Sequence, residues 1–267
     1  MSKKSLLIIP EMCTGCRACQ VACKSWNQLP AEKTSMKGDF SQPPDLSGTT
    51  FNKVRFTEMP SEKDSFRWLF VSQRCMHCEE AGCMKICPTP GALYRTKDGG
   101  VAANKEKCIG CHLCLAGCPF NVPRYGADGK LAKCSQCSDR TENGLPPACA
   151  KTCPPGAITF GDRDSMLARA RKMGYEKVYG QNELGGLGVL FAFKDAPKVY
   201  GYDDKPSINE MVILWHKYLK PASWFGIGGV AIASALHYFA VGPHKADPPK
   251  QEGAPKKEAE EVKKDEA

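Results

Sequence analysis

Residues 108–119 read Cys108-Ile-Gly-Cys111-His-Leu-Cys114-Leu-Ala-Gly-Cys118-Pro119, and this stretch decides what kind of molecule the chain is. Three cysteines stand two residues apart, a fourth follows after three more, and proline closes the run. Such a run wraps three thiolates around one cubane iron-sulfur cluster and sends the fourth to a second cluster. Cys13, Cys16, Cys19 and Cys23 repeat the spacing. Cys75, Cys78, Cys83, Cys87 and Cys134, Cys137, Cys149, Cys153 vary it by lengthening one internal step. The chain's 16 cysteines fall into these four groups with none left over, which predicts four 4Fe-4S clusters.

Two other uses of cysteine fit less well. Structural zinc takes separated C-x-x-C pairs, and three cysteines at this spacing plus a fourth would overfill one tetrahedral site. Disulfides belong to small secreted domains, and cysteines this close cannot all bridge without strain. Gly15 and Gly110 precede the second cysteine of their motifs, where the absence of a side chain lets backbone N–H groups turn toward sulfur. Pro88, Pro119 and Pro154 follow the fourth cysteines of their motifs, while Lys24 takes that place after Cys23.

Motifs two and three are only 21 positions apart, from Cys87 to Cys108, as in a compact two-cluster ferredoxin whose fourth cysteines cross over. Motifs one and four are left to pair. The expected ligand sets are Cys13, Cys16, Cys19 with Cys153; Cys134, Cys137, Cys149 with Cys23; Cys75, Cys78, Cys83 with Cys118; and Cys108, Cys111, Cys114 with Cys87. This predicts an α+β chain of two nested ferredoxin-like two-cluster units with inserts, followed by one C-terminal transmembrane helix. Residues 1–24 and 133–215 form the first unit, 25–74 an insert, 75–132 the second unit, 216–242 the anchor and 243–267 a charged flexible tail.

Within the insert, 51–56 and 68–71 read as strands from their aromatic and β-branched residues. Their role is packing and partner contact. Residues 157–160 and 188–193 also read as strands, and 164–173 as a helix capped by Asp162 or Asp164. The formal net charge of +8 counts cysteines as neutral. Each oxidised cubane with four thiolates carries about −2, so the clusters roughly cancel the excess and no nucleic-acid partner is expected. Lysine and arginine are then expected on a solvated, cluster-balancing surface. Lys85, Arg124, Lys133 and Lys151 lie near the motifs and could serve either purpose. His77 and His112, between cluster cysteines, read as packed or solvated polar groups rather than ligands.

Residues 221–242 contain no Asp, Glu, Lys or Arg. As a helix they would cover roughly 33 Å, enough for a hydrocarbon core, which makes the lipid bilayer a partner. Ala222, Gly226, Gly229, Ala233 and Ala240 share a stripe suited to close helix approach, with Trp224 and Tyr238 near the ends. His237 lies in line with that stripe and is costly toward lipid, so it is expected to face a partner helix or reach the interface. The short apolar run 6–9 does not read as a cleavable export signal. A single-pass protein of the cytoplasmic membrane is expected, its cluster domain periplasmic by co-export with a partner that bears the signal.

The motif order resembles the iron-sulfur subunits of molybdenum or tungsten bis-pterin oxidoreductases. Cys75-Met-His-Cys78, Cys118-Pro-Phe-Asn-Val-Pro-Arg124, Pro147-Ala-Cys149-Ala-Lys-Thr-Cys153-Pro154 and the closing helix are most similar to the beta subunit of membrane-bound formate dehydrogenase. The resemblance implies a catalytic alpha subunit holding the molybdenum or tungsten bis-pterin, and a cytochrome b gamma subunit holding haem b and passing electrons to quinone. It also places haem ligands on the cytochrome, which favours a hydrogen-bonding role for His237. The chain itself is then an electron carrier, and no nucleophile, general base or substrate pocket can be argued from its sequence. The same wire serves dimethyl sulfoxide, polysulfide, tetrathionate and hydrogenase complexes, and a stand-alone polyferredoxin would dispense with the membrane helix.

Overall fold

The computed structural model describes residues 3–35, 38, 40–59 and 66–242, in two compact units that divide between Lys220 and Pro221. The expected tail, 243–267, lies outside the described residues.

In the first unit, Lys4–Ile8 forms β1, the middle strand of a three-stranded sheet. Its alternation decides the architecture. Leu6 and Ile8 point into a core shared with Cys19 and Cys149, while Leu7 and Ile9 point to the opposite side. After motif one begins, Ala18–Trp26 is helix α1, carrying Cys19 and Cys23. The insert supplies a long antiparallel hairpin, β2 (Asn52–Met59) and β3 (Arg67–Arg74), in register from Asn52 opposite Arg74 to Met59 opposite Arg67. Its aromatics stack across the strands, with the Phe56 and Phe70 rings 4.8 Å apart and T-shaped.

Motifs two and three form a tight pseudo-repeat. Gly82–Lys85 is α2, Leu93–Arg95 and Val101–Ala103 form the antiparallel pair β4–β5, and Leu113–Ala116 is α3. Helices α2 and α3 cross where Gly82 meets the carbonyl of Gly117; a Cβ on Gly117 would stand 2.7 Å from the Gly82 carbonyl oxygen. Only glycine allows that approach, and it brings Cys83 and Cys114 to one place. Arg124–Tyr125 and Leu131–Ala132 make the short pair β6–β7.

Motif four follows on α4 (Ser138–Thr141) and α5 (Ala148–Lys151), then β8 (Ile158–Asp162) returns antiparallel to β1. Ile8 pairs with Ile158, so Cys13, five positions beyond Ile8, and Cys153, five before Ile158, leave the sheet at the same end. Helix α6 (Arg163–Lys172) begins with Asp162 at its N-cap position and covers the far face through Met166, Leu167 and Ala170. Strand β9 (Val189–Phe191) pairs parallel to β1. Helix α7 (Glu210–Leu214) packs against α2, with Ile208 against Gly82 and Val212 buried.

Helix α8 is Lys220–Val241, all but its first residue in the second unit, and the π turn Trp215–Leu219 belongs to the first. Phe225 is 83% exposed and Phe239 85%, so among the described residues of the second unit the apolar surface of α8 has no partner.

Candidate metal centres

Folding gathers the cysteines into four groups. Cys13, Cys16, Cys19 and Cys153 line one hollow together with Val54, Phe70, Ala157 and Ile158. Cys23, Cys134, Cys137 and Cys149 line a second, walled by Leu6, Arg74 and Pro147. Cys87, Cys108, Cys111 and Cys114 line another beside Leu93, Tyr125 and Leu131. Cys78 stands within charge-interaction range of Cys75, Cys83 and Cys118, which completes the remaining group. These are termed first, second, fourth and third sites respectively, because their neighbours fix a linear order. Cys19 interacts with Cys149, Cys134 with Cys75, and Cys83 with Cys114.

The backbone around each C-x-x-C step repeats one conformation. The residue before the second cysteine is left-handed in all four motifs, with φ of 66° at Gly15, 49° at His77, 70° at Gly110 and 62° at Gln136. Glycine takes that region without strain, whereas a histidine or glutamine there costs roughly 1–3 kcal/mol. Specific contacts hold the two exceptions. His77 Nδ1 accepts the backbone N–H of Val101 at 2.9 Å, and the Gln136 N–H donates to Cys134 Sγ at 3.4 Å.

The donor set fits a cluster, and without one it resists ionising. Burial pushes Cys19 and Cys118 up to about 11, and Cys83 and Cys134 up to about 12. Cys23 and Cys78 rise further, through burial and then through the sulfurs around them. Thiolates crowded in low dielectric repel one another, and soft iron cations at their centre remove that repulsion. Donors aimed at sulfur add to the fit. Leu131 N–H reaches Cys108 Sγ at 3.4 Å, Asn27 Nδ2 reaches Cys23 Sγ at 3.7 Å, and Tyr125 OH lies 3.5 Å from Cys114 Sγ. Asn52 Nδ2 is buried beside Cys19, favours its charge and has no oxygen or nitrogen acceptor among the described residues.

Arg74 departs from the solvated surface expected of the basic residues, and Lys133, left open between charge balance and ordinary surface, is buried beside sulfur. Arg74 is 2% exposed and donates through Nη1 to Cys149 Sγ at 3.0 Å. Lys133 is 6% exposed, donates to the carbonyls of Cys134 and Val101, and lies 3.7 Å from Cys75 Sγ. Burial opposes the charge on each, yet the surrounding sulfurs hold both pKa values above their ordinary range. Arg74 escaped the sequence reading; its one signal is that a cation directly precedes Cys75, as Lys133 precedes Cys134. The signal is imperfect because Lys107 precedes Cys108 and is exposed. The other basic candidates are peripheral: Lys85 pairs with Glu80, Arg124 with Asp45, and Lys151 is exposed.

His77 is a packed group and His112 a surface one. His77 is buried, and burial followed by the charges of Lys133 and Arg74 drives its pKa well below the usual value. With Nδ1 accepting from Val101, Nε2 carries the ring proton. His112 stacks on Tyr125, ring centroids 3.6 Å apart, and donates from Nε2 to the Gly129 carbonyl at 3.1 Å.

The sequence is similar to known proteins. Residues 12–92 and 66–163 each match a 4Fe-4S dicluster domain, and 208–250 match the formate dehydrogenase N transmembrane region. The formate dehydrogenase iron-sulfur subunit of Haemophilus influenzae is 40% identical over 252 residues, spanning 89% of this chain and 80% of that protein. The chain belongs to the formate dehydrogenase iron-sulfur subunits. The formate dehydrogenase-O iron-sulfur subunit of Escherichia coli is 39% identical, over 90% of this chain and 84% of its own length. A hydrogenase-2 operon protein of Escherichia coli is 31% identical over 62% of this chain and 54% of that protein. As a formate dehydrogenase iron-sulfur subunit, the chain transfers electrons through multiple 4Fe-4S clusters and works with catalytic and other partner subunits. Its fold is two dicluster domains of mixed α and β structure with a C-terminal transmembrane helix, which is consistent with membrane anchoring.

Proposed function

We propose that the chain holds four 4Fe-4S clusters in a line, receives electrons from a formate-oxidising catalytic subunit at the first site, and delivers them from the fourth site toward a membrane cytochrome b and quinone. The ligand sets are those of the four cysteine groups: Cys13, Cys16, Cys19, Cys153; Cys23, Cys134, Cys137, Cys149; Cys75, Cys78, Cys83, Cys118; and Cys87, Cys108, Cys111, Cys114.

The observation that carries this reading is the pattern of exposure along the line. All four cysteines of the second site are buried, whereas Cys16 of the first and Cys111 of the fourth are exposed. A wire needs insulated middle stations and terminal stations open to partners. Direction is supported by α7, the segment leading to the membrane helix, which packs against α2 beside the third and fourth sites. Each cubane supplies one-electron redox chemistry when bound. The protein's part is to fix position through the cysteines, exclude water with the apolar linings, and direct N–H donors at sulfur.

On the partners, the molybdenum or tungsten bis-pterin belongs to the catalytic subunit and haem b to the cytochrome. The cluster domain is periplasmic, carried across folded with its catalytic partner. Anaerobic metal analysis of the purified complex, corrected for iron held by partners, should give about 16 iron atoms per chain. Stoichiometric zinc with little iron would sink the reading.

A further inference from the structure

Two buried positive charges lie at successive junctions in the line of sites. Arg74, the last residue of β3, forms part of the wall of the second site and donates to Cys149 Sγ at 3.0 Å. Its charge also acts on Cys134 and on Cys19 of the first site. The guanidinium is held from behind by a chain of hydrogen bonds: Arg74 Nε to Ser72 Oγ at 3.1 Å, and Ser72 Oγ to Asn52 Oδ1 at 2.6 Å. Asn52 then presents Nδ2 beside Cys19. A polar bridge on the β2–β3 hairpin thus runs from the second site to the first. Lys133 does the equivalent at the next junction, its ammonium between the Cys134 carbonyl and Cys75 Sγ.

Neither cation has a carboxylate within ion-pair distance among the described residues. A buried charge without an opposite partner costs several kcal/mol of lost hydration. Here the compensating anions are the cluster sites themselves, each carrying about −2 when oxidised and one charge more when reduced. Because the added electron is the larger draw on a nearby cation, a fixed positive charge in low dielectric favours the reduced state. The fourth site has no Lys or Arg in its wall.

We propose that Arg74 and Lys133 are potential-setting residues: two fixed cations, at the first–second and second–third junctions, that raise the reduction potentials of the sites they adjoin and raise the second site most. This rests on the four-site reading above. It gives the hairpin insert a role in electron transfer beyond packing and partner contact.

The test is a potentiometric titration of the intact complex followed by electron paramagnetic resonance, with iron measured on the same samples. Arg74→Met should lower the potentials of two clusters and Lys133→Met those of two, with one signal shifted by both and one by neither. The expected shift at the shared cluster is about tenfold in the one-electron reduction equilibrium, or about 59 mV, per variant. Wild-type complex with fewer than four reducible clusters assigned to this chain would sink the four-site reading itself. Four clusters with unchanged potentials in both variants would overturn the inference and leave that reading intact. Should Arg74→Met shed iron, Arg74→Lys and Arg74→Gln separate charge from packing. A potential lowered by Gln and kept by Lys supports the assignment; equal potentials in the two, or loss of iron from both, overturns it in favour of a packing role.

Discussion

Cys87 shows how residue-level chemistry is decided by distant chain. It closes motif two in sequence, yet the hollow it lines is shared with Cys108, Cys111 and Cys114. Cys87→Ser should therefore abolish or convert the cluster of those three cysteines while the cluster of Cys75, Cys78 and Cys83 survives. Spectroscopy of the assembled complex checks this, and damage confined to the Cys75 cluster would refute the assignment. The left-handed position in each C-x-x-C step carries a related lesson. Glycine announces it at Gly15 and Gly110, but His77 and Gln136 adopt it without announcing it, because their strain is offset by long-range hydrogen bonds, His77 accepting from Val101 N–H and Gln136 Nε2 donating to the Gly188 carbonyl. At Gly15 the requirement is doubled, since an added Cβ would stand 3.1 Å from the Phe70 ring.

Among the elements, β1 does most to organise the site, although its five residues gave little for a sequence reading to hold. Buried on both faces from Ser5 to Ile8, it lacks the polar alternation that marks an exposed strand, and only its pairing with β8 reveals why motifs one and four meet. The strands expected at 51–56, 68–71, 157–160 and 188–193 fall on β2, β3, β8 and β9, and the helix expected at 164–173 on α6. Helix α8 was legible because membrane insertion depends on composition over length, which the sequence displays directly. Truncation after Lys220 should release this chain with its catalytic partner from washed membranes, in preparations lacking the cytochrome, while cluster signals persist. Retention of the truncated assembly would show that α8 is not the anchor.

At the scale of the whole molecule, the cluster sites are also the core. Cys19 and Cys149 pack with Leu6, Ile8 and Phe191, and Cys114 packs with Leu93, Val101 and Leu131. Anaerobic removal of iron should therefore lower the thermal unfolding temperature, and more so at alkaline pH. In the stripped chain burial holds Cys19 and Cys118 near 11, against an ordinary value of about 9.0. Their raised values contribute stability that is present below the ordinary pKa and lost as pH rises through about 9 to 11, where the unfolded thiols ionise first. Unfolding temperatures of stripped and loaded chain, compared at pH 7 and pH 10, check this; an equal gap at both would refute it. By itself the sequence determined the kind of cofactor, the nested order of the motifs and the membrane helix. Each of these resides in local spacing or local composition, where residue type and distance along the chain are sufficient. Only the tertiary structure decided which cations are buried, how the four cysteine groups line up, and which ends of that line reach solvent. Arg74 and Lys133 look like any surface cation in sequence, because burial is a property of what folds over a residue rather than of the residue itself.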